Sequence, residues 1–306
     1  MIFTDYEPGL YPGTDERIYH DTPIEIASNS GLKPFSLTEA HFEQEKIIGK
    51  KTVSLGFGAA YHVCILEPDS FDERVMPTPD CCCKKGDGKP CTNPATFMQG
   101  PIGYCGVHQG KAHGIVVPVS EVTDVIMVSQ ADLDHMLRMR DVLLADEDVC
   151  ALLAGGNREG AMLWRDPETG ILCKGKYDHW NEDLEVLPDL KTTKDATEDG
   201  WPGEMWNYSY YTQAPMYLGG MALSGGPTLK DFVNIAQEKV PPYAYGIYYV
   251  DQKTKDAGRR EFERRLRRFK AYLERGDRPA SASYTQGIRA TGLKPWHLSQ
   301  LERQEP

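Results

Sequence analysis

The sequence is 306 residues long, 40% hydrophobic and 26% charged, which predicts a globular protein whose core needs no cross-links. No apolar run approaches the length of a membrane span, and the residues from Met1 to Gly13 do not resemble a secretion signal, so we expect a cytoplasmic protein. Because the cytosol keeps thiols reduced, the eight cysteines indicate metal binding or buried thiols before disulfides.

Helical and extended segments alternate along the first half of the chain. The N-terminal segment, to about residue 30, is rich in proline and glycine and is predicted to be loop and extended chain. Two helices should follow, from a cap at Ser36 to about Ile48 and from about Gly56 to Leu66. An insert rich in cysteine, glycine and proline then covers residues 79–114.

The second half of the chain is predicted to supply a sheet. After a helix over 132–153, strands are expected at 161–165, 171–180 and 184–192 as an antiparallel meander. A helix over 203–223, strands over 231–237 and 243–251, and a long helix over 254–275 complete the pattern. We therefore expect one α/β domain over 1–278, with helices flanking a central mixed, largely antiparallel sheet of about five strands, and a tail over 279–306.

The charge distribution is uneven. A net charge of −11 is unfavourable for a protein that binds nucleic acid through its phosphates. The stretch from Lys255 to Arg275, however, carries nine basic and four acidic residues. Its candidates for phosphate contacts are Arg259, Arg260, Arg264, Arg265, Arg267 and Arg268. A solvated basic helix without a ligand explains the same composition.

Two neighbouring strands are predicted to bring carboxylates and a lysine together. Alternate side chains of a strand share a face, so Asp189 and Lys191 should point the same way, and the turn at 181–183 should bring Asp178 beside them. Carboxylates that hold Mg²⁺ or Mn²⁺ next to an ammonium group suit hydrolysis of a phosphodiester. The alternative is an exposed charge pair beside a hairpin, which is the more common meaning of an isolated Asp-x-Lys.

These residues resemble the PD-(D/E)XK nuclease superfamily, in particular the phage and prophage exonucleases similar to exodeoxyribonuclease VIII. In that branch a strand ending in Arg-Pro-Asp is followed by a strand that carries Asp-x-Lys-Thr-Thr. The segment from Asp189 to Thr193 fits the second element, whereas Lys176-Tyr177-Asp178 departs from the first. The resemblance runs from about Ser30 to Arg278 and implies a restriction-endonuclease-like core.

The resemblance also implies further site residues. It gives as ligands of the catalytic metal His62, Asp178, Asp189 and the carbonyl of Leu190. Glu159 is a further acidic candidate. Gln213 and Tyr217 resemble a Gln-x-x-x-Tyr helix that follows the catalytic lysine, and their spacing places both on one helical face near the site. Ordinary helix packing explains that pair equally well.

A second metal site is predicted in the insert. Thiolates and imidazole suit tetrahedral Zn²⁺, and the Cys105-x-x-His108 spacing lets both residues reach one ion. A resemblance to small zinc modules of phage proteins implies Cys81 as the first ligand, with Cys82 or Cys83 as substitutes. The predicted set is Cys81, Cys91, Cys105 and His108, and four protein ligands, which leave no open position on the ion, indicate a structural zinc and not a catalytic one. The single cysteines Cys64, Cys150 and Cys173 are expected in the core.

The activity that the resemblance implies is metal-dependent exonucleolytic degradation of double-stranded DNA, 5′ to 3′, to leave single strands for phage recombination. It also implies a ring-shaped homo-oligomer and a single-strand annealing protein as partner, in the host cytoplasm if a phage encodes the chain. The nearest alternative is a structure-specific or single-strand nuclease. A catalytically silent DNA-binding or assembly protein is another, which the presence of Asp178, Asp189 and Lys191 disfavours.

Overall fold

The computed structural model describes residues 3–14, 16–48, 53–119, 125–285 and 288–302. Its strands are β1 Gly9–Pro12, β2 Val75–Pro77, β3 Phe97–Gln99, β4 Ile102–Tyr104, β5 Val117–Pro118, β6 Ile126–Val128, β7 Asn157–Arg165, β8 Leu172–Trp180, β9 Val186–Thr193, β10 Asp231–Glu238 and β11 Tyr245–Tyr249. Its α-helices are α1 Glu16–His20, α2 Asn29–Leu32, α3 Glu39–Ile48, α4 Val53–Leu66, α5 Phe71–Arg74, α6 Gln130–Leu143, α7 Glu147–Leu152, α8 Trp201–Tyr208, α9 Tyr210–Leu223, α10 Gln252–Leu273 and α11 Pro295–Glu302. The mixed α/β class is confirmed.

Six strands build two three-stranded sheets. One is antiparallel, with the order β1-β7-β8, and the other has the order β9-β10-β11. In the second sheet β10 runs parallel to β9 and antiparallel to β11. A parallel pair needs a long crossover connection, and α8 and α9 supply it between β9 and β10.

The hydrogen-bonded ladder is interrupted where a continuous meander was expected. Among the described residues, β8 and β9 are linked by one bridge, Asn181 with Val186. Beyond it, Pro188 has no N–H to donate, and the N–H of Leu190 donates to Asp178 Oδ2 at 2.7 Å, so a side chain replaces a strand partner. The expected sheet of about five strands is therefore divided into two sheets, and we call the gap between β8 and β9, from Asp178 to Leu190, the fork.

Two helices predicted as continuous are each broken. The segment 132–153 forms α6 and α7, because Asp146 starts a new helix by accepting hydrogen bonds from the N–H groups of Asp148 and Val149. The segment 203–223 forms α8 and α9, which meet at Ser209, a residue with a left-handed φ of 60°. The spacing of apolar residues continues across both breaks, so the hydrophobic pattern alone could not predict where either helix is interrupted.

Helices cover the sheets on two sides. One core packs β7, β8 and β10 against α9 and α10 around side chains such as Phe232, and the other packs β9 and β10 against α4 and α6 around Leu190 and Ile235. Each such side chain removed from water contributes about 1.5–3 kcal/mol. Because Leu190 is buried on the α4 side, its neighbour Asp189 points toward α9, where it contacts Gln213.

Smaller differences from expectation concern the chain ends and one cysteine. The N-terminal segment, expected as loop and extended chain, contains the strand β1 paired with β7 and also the short helices α1 and α2, and the segment expected as a tail contains α11. Cys64 and Cys173 are buried as predicted, whereas Cys150 is exposed, because α7 packs through Val149 and turns the next side chain outward. None of the described helices is both long and apolar enough to cross a bilayer.

The cysteine-rich insert lies between β2 and β6, which pair in parallel. Within it β3 and β4 form a hairpin, and β5 adds to the free side of β3. Among the residues that the structure describes, no strand of this small sheet pairs with a strand of the two central sheets. The insert therefore folds around its own contacts.

Candidate active site

The fork is where the predicted nuclease residues meet. Asp178 lies in β8, and Asp189 and Lys191 lie in β9. The register of the β7–β8 ladder places Glu159 across from Asp178. His62, on α4, approaches from the helix that packs against β8 and β9.

One imidazole and two carboxylates form the tightest group. His62 Nδ1 lies 3.5 Å from Asp178 Oδ1 and 3.8 Å from Glu159 Oε1, and the three ligand atoms all lie within 4.8 Å of one another. His62 Nε2 lies 3.0 Å from the carbonyl oxygen of Leu190. Because a carbonyl only accepts, this contact keeps the proton of the neutral ring on Nε2 and leaves Nδ1 to the carboxylates. Burial lowers the pKa of His62, but Asp178 and Glu159 outweigh it and raise that pKa to about 9.

Glu159 is more central to the site than the sequence indicated. Its Oε2 lies 2.6 Å from Lys176 Nζ. Burial raises the pKa of Glu159, but His62 and Lys176 outweigh it and hold that pKa below its usual value. Its backbone φ of 45° is a left-handed value that a residue with a side chain rarely adopts. Strain of this kind, beside a second carboxylate across the ladder, is typical of functional sites.

Asp189 and Lys191 form a buried ion pair next to this group. Lys191 Nζ contacts Asp189 Oδ2, and Gln213 Nε2 donates to Asp189 Oδ1 at 2.7 Å. Burial raises the pKa of Asp189 to about 6, against the effect of Lys191. Burial lowers the pKa of Lys191, but Asp189 and Asp178 reverse that shift and leave it above its usual value. Lys191 is therefore an ammonium group at neutral pH and is better suited to stabilise negative charge than to remove a proton.

The predicted ligands fall into two sets. His62 and Asp178 belong with Glu159, whereas Asp189 is turned toward Gln213 and Lys191. The carbonyl of Leu190, expected to contribute to metal binding, faces His62.

The Gln213 and Tyr217 pair is also divided. Gln213 reaches the site through Asp189. Tyr217 lies in the core, with its ring edge-on to Phe232 at 6.2 Å between centroids, and burial raises its pKa well above the usual value. One residue of the pair thus touches the site, and the other packs the helix that carries it.

Three neighbours of the site were missed by sequence reasoning. Lys176 pairs with Glu159, and Lys191 Nζ lies 5.2 Å from the centre of the Tyr210 ring. Asn234 is in register with Asp189 and is 1% exposed, and within the described parts of the chain its amide has no hydrogen-bond partner. An asparagine inside an apolar strand is a signal that could have found it, because buried polar groups usually have partners or a role.

The insert brings three thiols and an imidazole to a second site. The ligand atoms within 4.8 Å of one another belong to Cys81, Cys91, Cys105 and His108. Cys81 Sγ and Cys105 Sγ lie 3.3 and 3.5 Å from His108 Nδ1, and Cys91 Sγ lies 4.0 Å from Cys105 Sγ. The arrangement contains the four residues predicted from the Cys105-x-x-His108 spacing and from the resemblance to small zinc modules.

The choice among the three adjacent cysteines falls on Cys81. Cys82 is exposed and Cys83 is half-buried, while Cys81 is buried within the group. At Cys105, burial raises the pKa, but the backbone N–H groups of the following turn outweigh it and lower that pKa to about 7. The thiolate is the form that binds a metal, so this turn prepares Cys105 as a ligand.

The basic helix α10 is largely engaged within the protein. Arg265 is buried and lies 2.7 Å from Glu261, and Arg267 lies 2.8 Å from Glu168. Arg268 donates to backbone carbonyls just before α3. These contacts weaken the expectation that the whole helix binds phosphates.

Two exposed arginines, Arg259 and Arg260, are left for that role. Arg264 lies between the two situations, because it is 45% exposed but paired with Glu261 at 2.8 Å.

Fold and site together define the class of protein. A mixed α/β core that carries Asp178 on one strand and Asp189-x-Lys191 on the next is that of a PD-(D/E)XK nuclease. The chain belongs to the family described as PDDEXK-like domain of unknown function (DUF3799), whose sequence model matches residues 28–291. The superfamily resemblance is thereby confirmed, and the finer likeness to exodeoxyribonuclease VIII stays a prediction.

Comparison with solved structures agrees with this class. A protein from Eubacterium rectale that carries the name "Putative exonuclease" superposes with a TM-score of 0.57 and 13% identity, over 94% of this chain and 98% of its own. At that identity the likeness shows the fold alone. No curated protein sequence matches the chain. Family and fold support a nuclease.

Proposed function

We propose that the protein is a metal-dependent deoxyribonuclease that degrades double-stranded DNA from its ends. The observation that carries the proposal is the approach of His62, Glu159 and Asp178 to within 4.8 Å, beside the ammonium group of Lys191. Carboxylates that hold a divalent ion next to a fixed positive charge are suited to phosphodiester hydrolysis.

The donor set indicates which ions fit. Carboxylate oxygens suit Mg²⁺ and Mn²⁺, and an imidazole nitrogen shifts the preference toward Mn²⁺. His62 Nδ1, Glu159 and Asp178 would hold the ion, with Asp189 as a further proposed ligand. The predicted contribution of the Leu190 carbonyl would require it to leave His62 Nε2, which it faces at 3.0 Å. When bound, the ion would supply Lewis-acid polarisation of the phosphate and a lower pKa for water.

The chain's own groups orient the substrate and stabilise charge. Lys191, whose pKa lies above its usual value, would face the negative charge that grows on the phosphate. Asp189 holds Lys191 in place, and the amide of Gln213 holds Asp189. Because these groups are buried, their mutual attraction is screened less than it would be in water.

Exonuclease activity on duplex DNA is proposed from the motif at Asp189–Thr193 and from the name of the Eubacterium rectale protein. The resemblance to exodeoxyribonuclease VIII supports the finer proposals: 5′ to 3′ digestion, single strands for phage recombination in the cytoplasm, a homo-oligomeric ring and a single-strand annealing partner. A structure-specific or single-strand nuclease is the second candidate.

For the insert we propose one structural Zn²⁺ on Cys81, Cys91, Cys105 and His108. Three thiolates and an imidazole are a donor set that Zn²⁺ prefers over Mg²⁺, and four protein ligands leave no position for a substrate.

Digestion of a linear duplex labelled at one 5′ or one 3′ end tests the nuclease proposal. With Mg²⁺ or Mn²⁺ we expect early release of the 5′ label, late release of the 3′ label, no reaction in EDTA, and a closed circular duplex left intact. Asp178→Asn, which keeps the size of the side chain, should be folded and inactive. Equal activity of Asp178→Asn would contradict the site, and cutting of the closed circle would replace the exonuclease with an endonuclease.

A further inference from the structure

Four aromatic rings form a continuous stack on one side of the fork. The ring of Tyr208 stacks on Tyr210 at 5.6 Å between centroids and 22°, Tyr210 on Trp201 at 5.8 Å and 23°, and Trp201 on Tyr248 at 6.2 Å and 12°. We call these residues the aromatic row. Exposure changes along it, because Trp201 is 2% exposed and Tyr208 is 51% exposed. The row is therefore buried at Trp201 and exposed at its Tyr208 end.

The ring next to the exposed end of the row lies beside the catalytic lysine. Lys191 Nζ is 5.2 Å from the centre of the Tyr210 ring, and Tyr210 in turn stacks on Tyr208. Lys33 Nζ lies 5.6 Å from the centre of the Tyr208 ring. A strand whose phosphate reaches Lys191 would thus pass an exposed aromatic ring and a second ammonium group.

The charges of the protein provide little electrostatic attraction for DNA. The chain carries a net charge of −11, and the arginines at positions 265, 267 and 268 of α10 are committed to contacts within the protein. Stacking on aromatic rings is an attraction that does not depend on net charge and that accepts any base. The exposed ring of Tyr208 is suited to that contact because its stacking on Tyr210, which in turn stacks on the buried Trp201, already fixes its orientation.

We propose that the aromatic row stacks the bases of an unpaired DNA strand next to the scissile phosphate. The proposal rests on the nuclease function proposed above and specifies its substrate: the strand being hydrolysed is single-stranded where it enters the fork. Base faces inside a duplex are covered by neighbouring bases, so a duplex must separate at its end before Tyr208 can stack. Ends that are already unpaired should accordingly be the better substrates.

Binding of a short single-stranded oligonucleotide that contains 2-aminopurine tests the proposal directly, in EDTA, so that no hydrolysis interferes. Stacking should quench the 2-aminopurine fluorescence. Tyr208→Ala should weaken binding by roughly 5- to 150-fold, the effect of losing one base–aromatic stack. Tyr208→Phe should bind like the wild type, and the dependence of affinity on salt should be the same in all three proteins because no charge is removed.

Tyr249→Ala is the matched control. Tyr249 is 71% exposed and follows Tyr248 in β11, so its side chain points to the opposite face of the strand, and its loss should leave binding unchanged. In the hydrolysis assay, a duplex with a mismatched end should be degraded faster than a fully paired one by the wild type, and this advantage should disappear in Tyr208→Ala.

The outcomes separate this inference from the nuclease proposal. Unchanged binding by Tyr208→Ala, or an equal loss in Tyr249→Ala, overturns the aromatic row as a stacking surface even if the wild type hydrolyses DNA. Binding that depends on Tyr208 in a protein that hydrolyses no DNA with Mg²⁺ or Mn²⁺ would leave the stacking surface standing and overturn the nuclease.

Discussion

His62 faces two carboxylates through one ring nitrogen and a backbone carbonyl through the other. With a pKa of about 9, its ring is protonated at neutral pH in the metal-free protein. The raised pKa means that this proton stabilises the metal-free fold below the ordinary pKa of about 6.5, and that the stabilisation is lost as pH rises through about 9. A metal ion must displace the same proton to reach Nδ1.

We therefore expect the affinity for Mn²⁺ to rise roughly tenfold per pH unit between about pH 7 and pH 9, and to rise less steeply above that range. Isothermal titration calorimetry in buffers of different ionisation enthalpy would count the protons released, about one per ion. His62→Asn should bind more weakly and with a flatter pH profile. An affinity that does not change with pH in the wild type would rule out His62 as a ligand.

Lys191 is predicted to act at the chemical step. Lys191→Met should lower kcat by roughly 100-fold or more and leave DNA affinity nearly unchanged, because the ammonium group stabilises charge that grows in the transition state. Lys194→Met, an exposed lysine on the same segment, is the control and should behave like the wild type. Single-turnover kinetics would separate rate from binding, and matched losses in both would indicate a phosphate-binding role.

Part of the site was open to prediction from local rules. The two-residue period of a strand places Asp189 and Lys191 together, and a short turn brings Asp178 to them. The position of Glu159 was not accessible in this way, because it depends on the register of β7 against β8 and on a left-handed backbone conformation. Long-range strand pairing of this kind cannot be predicted from the residues nearby in sequence.

At the scale of elements, α10 shows how composition can mislead. Its arginines suggested a nucleic-acid surface, yet the side chain of Arg265 is 3% exposed. It pairs with Glu261 on the same helix and joins α10 to α9 through the hydroxyl of Tyr211 at 3.3 Å. Loss of the buried Arg265 side chain would remove its packing and its contact with Tyr211, whereas Glu261 would keep its pair with Arg264 at 2.8 Å.

Arg265→Ala should accordingly lower the free energy of unfolding by about 2 kcal/mol. Arg259→Ala, an exposed change on the same helix, should alter it by no more than about 0.5 kcal/mol. Urea denaturation followed by circular dichroism measures both. Equal stability of the two variants would mean that the Arg265 pair contributes nothing to the fold.

From α6 to α10 the order of helices and strands was predictable, and the breaks within them were not. Hydrophobic periodicity located β7 to β11 within a few residues because burial dictates it. The fork arises from one hydrogen bond between Leu190 and the side chain of Asp178, and the break at Asp146 arises from a helix cap. Such single polar contacts redirect the backbone without changing the pattern of apolar residues.

At the scale of the whole molecule, two metal sites are expected to serve separate purposes. The insert has few large apolar side chains, so without an ion its four ligands have little else to hold them together. The fork lies in the central sheets, which are built from other segments.

Elemental analysis should find about one zinc per chain. Cys105→Ser should lose this zinc and make the insert sensitive to protease, while part of the nuclease activity survives. Cys82→Ser, at an exposed cysteine outside the group, should retain the metal. Zinc-free preparations of an intact insert, or complete loss of activity with the zinc, would contradict this separation.

The parallel pairing of β2 with β6 constrains how the insert can be gained or lost. Val75 pairs with Ile126 and Pro77 with Val128, so the chain leaves the ladder at one end and returns at the other. A tight turn cannot join two strands in that arrangement, since a parallel connection needs roughly a dozen residues or more. If the zinc module were deleted and β2 joined directly to β6, the two strands could therefore no longer pair in parallel. A designed or naturally occurring homologue without zinc should keep a connecting segment of about that length between β2 and β6. Its sequence should differ from this one there by replacement of residues more than by deletion.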